Sequence, residues 1–151
     1  MTKKKKLPRK KIDAFILDAS VALAWCFSDE SDRYADAVAR KLPSIRSIVP
    51  VIWHLEISNA LLVGERRGRC DQSDTSKWTA FLASLSISTE EHSGVRIFGE
   101  VRSLARAHNL STYDAAYLEL ALRSGLPLAT LDGRLKAATA SIGVALFDPE
   151  I

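Results

Sequence analysis

Residues Ala14 to Leu17 read Ala-Phe-Ile-Leu, apolar at four consecutive positions, and the run closes on Asp18 and Ala19. A strand with one face in water alternates apolar and polar residues, so a strand that does not alternate must be covered on both faces. That demand is met by a parallel sheet, whose neighbouring strands are joined by crossover helices. The rest of the chain reads accordingly. Ser20 is the expected N-cap of a helix from Val21 to Phe27, and Ser31 to Leu42 carries Tyr34, Ala37, Val38 and Leu42 at helical spacing. A short strand from Ser47 to Val49 stops at Pro50, and a helix from Ile52 to Arg67 shows a stripe of Trp53, Ile57, Ala60, Leu61 and Gly64, with Gly68 as its cap. Further helices are expected at Ser73 to Leu85 and Ser93 to His108, with a brief strand at Ile87 between them. The last third reads as a helix from Thr112 to Ser124 ended by Gly125, a strand from Leu128 to Leu131, a helix from Arg134 to Thr139 and a strand from Val144 to Phe147. Alternation of this kind predicts an α/β fold with a mainly parallel central sheet flanked by helices.

A chain of 151 residues with 47% hydrophobic and 26% charged residues has room for one packed domain and the composition of an ordinary globular protein. Its net charge of +3 is unevenly placed. Seven bases and no acid lie in residues 1–12; removing these seven from the twenty-one Lys and Arg leaves fourteen against eighteen Asp and Glu, a balance of −4. The expectation is a basic, solvated and disordered arm at 1–12, with attraction to a phosphate backbone as its functional alternative, and a mildly acidic domain over 13–151. No apolar segment of signal-peptide or membrane-spanning length appears, so no membrane partner and a cytoplasmic setting are expected. Cys26 and Cys70 lack metal-site spacing and read as small packed hydrophobes.

Chemistry is suggested by where the acids fall. Asp18 closes the first strand, Asp132 follows the strand at Leu128, Asp114 opens the helix before it, and Glu56 sits in a helix among mostly apolar neighbours at three and four residues. In parallel sheets, ligands collect at the carboxyl ends of the strands. Each acid also has a purely structural reading: Asp18 as a turn acceptor, Asp132 as an N-cap, Asp114 as the partner of Ser111 in a capping box, and Glu56 as half of an ion pair with an Arg. Four carboxylates gathered at one edge would repel and raise one another's pKa values unless a cation neutralised them, and a hard divalent ion with oxygen ligands is the natural choice.

Four segments together carry a resemblance: ILDASVALAW from Ile16, VPVIWHLEISNALL from Val49, LSTYDAAYLELA from Leu110 and LATLDGRL from Leu128. In this order and spacing they resemble the PIN domains, and within them the VapC-type toxins of bacterial toxin–antitoxin pairs. The resemblance implies a PIN-like three-layer α/β fold and an endoribonuclease in which Asp18, Glu56, Asp114 and Asp132 bind Mg²⁺ or Mn²⁺, supported by Ser20, Asn59 and Thr130. It further implies water as the nucleophile, an RNA substrate, a homodimer, and a small antitoxin protein that inserts a basic side chain near the metal site. The basic arm departs from the family's pattern.

The remaining conspicuous residues read conservatively. His54, His92 and His108 share no ligand spacing, and Trp25, Trp53 and Trp78 lie on apolar stripes suited to packing. Arg66, Arg67 and Arg69 are candidate RNA contacts, although a solvated helix end explains them equally well. Two rivals stand beside the nuclease reading. A phosphatase of the haloacid-dehalogenase kind needs a second Asp two residues after the first, where this chain has Ser20. A catalytically silent RNA- or protein-interaction module on the same fold would lack metal-dependent cleavage.

Overall fold

The computed structural model describes residues 13–151, so the basic arm expected at 1–12 lies outside the described residues. Among those described, four parallel strands form one sheet in the order β3-β2-β1-β4: β1 Ala14–Leu17, β2 Arg46–Pro50, β3 Ile87–Glu90 and β4 Leu128–Ala129. Between them run α1 Ala19–Cys26, α2 Arg33–Lys41, α3 Ile52–Arg66, α4 Gln72–Ala83, α5 Gly94–Arg96, α6 Arg102–His108 and α7 Thr112–Ser124, and α8 Gly133–Ile142 follows β4. Every residue of β1 is buried, which requires helices on both faces and gives the three layers. The outer strand β3 is exposed at Ser88, Thr89 and Glu90, polar residues that protect a sheet edge.

Several boundaries differ from the sequence expectation for local hydrogen-bonding reasons. Helix α1 begins two residues before Val21, with Asp18 rather than Ser20 at the cap position, because the Ser20 hydroxyl is drawn to the Asp18 carboxylate. Helix α2 begins at Arg33 because the Asp32 carboxylate accepts the amides of Tyr34 and Ala35. The expected helix from Ser93 to His108 is interrupted by a π-helical turn over Ile97–Val101. The strand expected from Leu128 to Leu131 stops at Ala129, since the Leu131 amide donates to Ser20 Oγ and the Asp132 amide to Thr130 Oγ1 instead of to a neighbouring strand. The strand expected at Val144 to Phe147 is reduced to one bridge, Leu128 to Leu146.

That last segment is held mostly by side chains. The Phe147 ring stacks on Phe15 of β1 with centroids 4.1 Å apart and planes 5° from parallel, and Tyr34 Oη donates to the Phe147 carbonyl at 2.7 Å. No helix among the described residues is long and apolar enough to cross a membrane. Because Phe147 is buried and Leu146 is 45% exposed, the two adjacent positions should respond differently to truncation. Phe147→Ala is expected to cost about 3–5 kcal/mol and Leu146→Ala within about 0.5 kcal/mol, read as shifts in urea midpoint at constant m-value. Equal costs would show that the C-terminal segment does not pack on β1 as described.

Candidate functional site: a carboxylate pocket at the strand ends

Parallel strands end on the same edge, so the residues that follow β1 and β4 meet there. The Asp18 amide donates to the Ala129 carbonyl at 2.9 Å, joining the two exits. Asp18 is only 4% exposed, and its Oδ2 accepts from Ser20 Oγ at 2.6 Å and Thr130 Oγ1 at 2.8 Å. The same two hydroxyls accept the Leu131 and Asp132 amides at 3.0 Å each. A pair of neutral hydroxyls thus fastens the loop after β4 to the buried carboxylate.

Asp132 is the N-cap of α8, its Oδ1 accepting the Leu135 amide at 2.9 Å, so the capping role expected for it is real and uses one of its two oxygens. Asp114 lies in the first turn of α7. Ser111 Oγ accepts the Asp114 amide at 3.1 Å, which is half of the expected capping box. The return bond that defines a full box, present between Asp71 and Asp74 at the start of α4, is not formed here. Glu56 reaches in from α3 and accepts from Tyr117 Oη at 2.9 Å; its partner is therefore a tyrosine, not an arginine. All four acids, with Ser20, Leu23, Asn59 and neighbouring alanines, line one open pocket of about 370 Å³.

The electrostatics follow from burial and mutual repulsion. Burial raises the Asp18 carboxyl, Asp114 and Asp132 raise it further, and the Ser20 and Thr130 hydroxyls oppose the shift. Glu56 is pushed up to about 7, chiefly by burial and also by Asp18 and Asp114, against the Tyr117 hydrogen bond that lowers it. Asp114 is raised by burial and by Asp132, with the Ser111 hydroxyl and the Arg134 guanidinium opposing.

Another buried carboxylate in the same fold is treated differently. Glu119 Oε1 receives Arg96 Nη1 at 2.9 Å and Arg123 Nε at 3.0 Å, and its Oε2 stands 2.7 Å from His92 Nε2. Glu119 has cationic partners; Asp18 and Glu56 have neutral hydroxyls. The lining contributes carboxylate, hydroxyl and amide oxygens and no Cys or His, a donor set suited to a hard divalent cation. As the side chains stand, no three His, Cys, Asp or Glu among the described residues converge on one ion position. Asp18, Glu56 and Asp132 each have one oxygen turned toward a protein donor.

The supporting positions divide in two. Ser20 and Thr130 hold Asp18, and Asn59 lines the pocket three residues beyond Glu56, on the same face of α3. Of the three candidate arginines, Arg69 has partners within the chain: its Nη2 lies 3.0 and 2.9 Å from the two Asp29 carboxylate oxygens and 3.4 Å from Glu30 Oε1. Its guanidinium also sits 4.1 Å over the Phe27 ring, so it clamps the chain after α1. Arg66 and Arg67 are exposed at the far end of α3, ten residues and about 15 Å along the helix from Glu56. None of the three lines the pocket. Sequence reading missed Tyr117, although its spacing of three from Asp114 puts it on the same face of α7. His92, which shares no ligand spacing with the other histidines, packs with its side chain buried beside Glu119.

A small α/β fold with a carboxylate-lined pocket outside the carboxyl ends of its parallel strands is the class that this geometry defines. The pattern described as the PIN domain matches residues 15–140, and the chain belongs to that family. It is similar to Ribonuclease VapC3 of Pyrobaculum aerophilum, at 27% identity over 120 residues covering 80% of this chain and 90% of the relative. Among solved structures it resembles PAE2754 from the same organism, with a TM-score of 0.67, 27% identity, and 92% and 90% of the two chains covered. A toxin–antitoxin complex from Klebsiella pneumoniae shares the fold, with a TM-score of 0.57, 17% identity, and 89% and 97% covered.

The Glu56 shift sets a pH dependence. Between its ordinary value of 4.5 and about 7, the folded protein holds a proton that the unfolded chain has released. Stability in chelator should therefore fall as pH rises through that window, and Glu56→Gln should flatten the fall. Thermal melts across the window test this, and a slope unchanged in the variant would refute it. Tyr117→Phe removes the one hydrogen bond that favours ionised Glu56, so its carboxyl should rise further and the pH-dependent loss of stability in the same melts should extend to higher pH than in wild type.

Proposed function

We propose that this protein is a Mg²⁺- or Mn²⁺-dependent endoribonuclease, the toxin of a VapBC-type toxin–antitoxin pair, that hydrolyses RNA phosphodiester bonds with water as nucleophile. The observation that carries the reading is the pocket itself: four carboxylates from four parts of the chain line one opening, and the two most buried have neutral donors in place of cations. The ribonuclease named among its relatives and the toxin–antitoxin complex among its structural neighbours point the same way.

Asp18, Glu56, Asp114 and Asp132 are the residues that would hold the cation. When bound, it would supply activation of water near neutral pH and neutralisation of charge on the phosphodiester. The chain's own contribution is positioning. Ser20 and Thr130 fix Asp18 Oδ2, Tyr117 fixes Glu56 Oε1, and the α8 cap occupies Asp132 Oδ1, leaving the other carboxylate oxygens to serve as ligands. Asn59 places an amide at the rim, suited to orienting a phosphate oxygen or a water.

The partners follow from charge and surface. An acidic pocket is complementary to a basic side chain of a small antitoxin protein. A homodimer has an apolar face available, since Val51, Leu55 and Leu62 stand 51%, 67% and 41% exposed at helical spacing along and just before α3. The absence of a membrane-spanning helix among the described residues is consistent with a cytoplasmic setting.

The test pairs RNA cleavage with thermal melting. Purified protein incubated with total cellular RNA is expected to leave discrete new ends in Mg²⁺ and none in excess chelator, and Mg²⁺ should raise the melting temperature by binding only the folded state. For Asp114→Asn the structural and catalytic roles forecast opposite results. The variant should fold, melt no lower than wild type in chelator because repulsion with Asp132 is relieved, gain little from Mg²⁺, and lose about two orders of magnitude or more in cleavage. Near-normal cleavage by Asp114→Asn would reduce Asp114 to a helix-terminal residue and leave the proposed site one ligand short.

A further inference from the structure

Beside the carboxylate pocket lies a second opening of about 320 Å³, between the end of α6 and the face of α8, lined by His108, Asn109, Arg134, Ala137, Ala138 and Ser141. Two observations set it apart on this molecule. Its lining contains an imidazole, an amide and a guanidinium and no carboxylate, although the chain beyond residue 12 carries eighteen acids against fourteen Lys and Arg. It also borders the site already described, since Asp132 lines the one opening and Arg134 the other. Arg134 follows the α8 cap Asp132 by two residues and is near enough to Asp114 to lower its carboxyl slightly, against burial and Asp132, which raise it. Arg69 is held by Asp29 and Glu30, and Arg96 and Arg123 by Glu119, whereas Arg134 belongs with the exposed arginines, such as Arg40, Arg66 and Arg67, that are not paired in this way. Arg134 makes no side-chain hydrogen bond or ion pair among the described residues, and it is exposed. Asn109 stands in the left-handed conformation, φ 52°, that ends α6 and turns the chain at the pocket rim.

We propose that the His108–Asn109–Arg134 pocket is a phosphate subsite that binds an RNA backbone phosphate neighbouring the one to be cut. This rests on the ribonuclease reading above and adds to it the means by which an acidic domain holds a polyanion. Four carboxylates repel a nucleic acid strand; a guanidinium placed at their border offsets that repulsion for the next phosphate along, and an imidazole beside it can donate an N–H to a phosphate oxygen. A guanidinium suits the task because its planar fork can grip two phosphate oxygens at once. Directional entry follows, since the strand is held on the α6–α8 side of the acids and not on the α3 side.

The experiment uses the full chain and a short labelled single-stranded RNA, with anisotropy measured in chelator across a salt series so that neither cleavage nor metal affinity contributes. Arg134→Gln is expected to weaken binding by about tenfold or more at low salt and to reduce the salt slope by about 0.7, the value for one fewer phosphate neutralised on a single strand. His108→Gln should weaken binding in the same direction. Arg40→Gln, an exposed charge on α2 outside the pocket, is the equal-charge control and should change neither quantity comparably. A methylphosphonate walked along the RNA should cost wild type affinity at one link that Arg134→Gln no longer senses. Equality of Arg134→Gln and Arg40→Gln in affinity and slope would overturn the subsite, as would competition by polyglutamate matching that by RNA, which would reassign the pocket to an acidic protein segment. The nuclease reading fails or stands separately: if wild type leaves RNA uncut in Mg²⁺ while Arg134→Gln still weakens binding, the subsite survives without it. Cleavage that persists with binding unchanged by Arg134→Gln leaves the nuclease and removes the subsite.

Discussion

The buried carboxylate of Asp18 holds the strand ends together. Its Oδ2 accepts from the Ser20 and Thr130 hydroxyls, and through them the amides of Leu131 and Asp132 are bound to the exit of β1. This arrangement ends β4 after two residues, starts α8 at the Asp132 cap, and delivers a second carboxylate to the same opening. A charged group this far from water is costly unless it is compensated, and two neutral hydroxyls are modest compensation. The fold therefore keeps at its centre a group whose charge is incompletely met by protein donors.

The comparison with Glu119 shows that the fold is able to neutralise a buried acid with its own cations. Arg96 and Arg123 converge on Glu119, Arg96 tying the segment after β3 to α7 and Arg123 bracing the pair from within α7, a structural use of charge. Five residues earlier on α7, Asp114 faces other acids. The helix thus carries a satisfied carboxylate at one level and an under-compensated one at another. The difference separates an ion pair that stabilises packing from a group of acids that repel one another, and Tyr117, between them, passes a hydrogen bond from α7 to Glu56 on α3.

Much of the architecture is legible in the sequence because period and punctuation act locally. The unbroken apolar run Ala14 to Leu17 announces a strand covered on both faces, and Gly125 at φ 63° closes α7 at the expected residue. The departures share a cause. Ser20 reads as a cap, Leu131 as strand and Arg69 as a surface contact because each has an ordinary local role; their observed partners, Asp18 with Leu131, Ser20, and Asp29 with Glu30, follow from the tertiary approach of separate segments.

What the sequence by itself determined is the order of elements, the family pattern, and the positions of four acids at strand exits and on an inward helix face, since apolar periodicity and motif spacing are properties of the chain alone. Only the tertiary structure decided which oxygen of each acid is already taken, that Glu56 answers to Tyr117, that Asp114 leaves its capping box half closed, and that Arg134 borders the acids while Arg69 does not. The physical reason is range. Periodicity and capping are read over a few residues, whereas the charge and hydrogen bonding of a buried carboxylate depend on groups up to 112 positions away, as between Asp18 and Thr130, which the sheet brings within 2.8 Å.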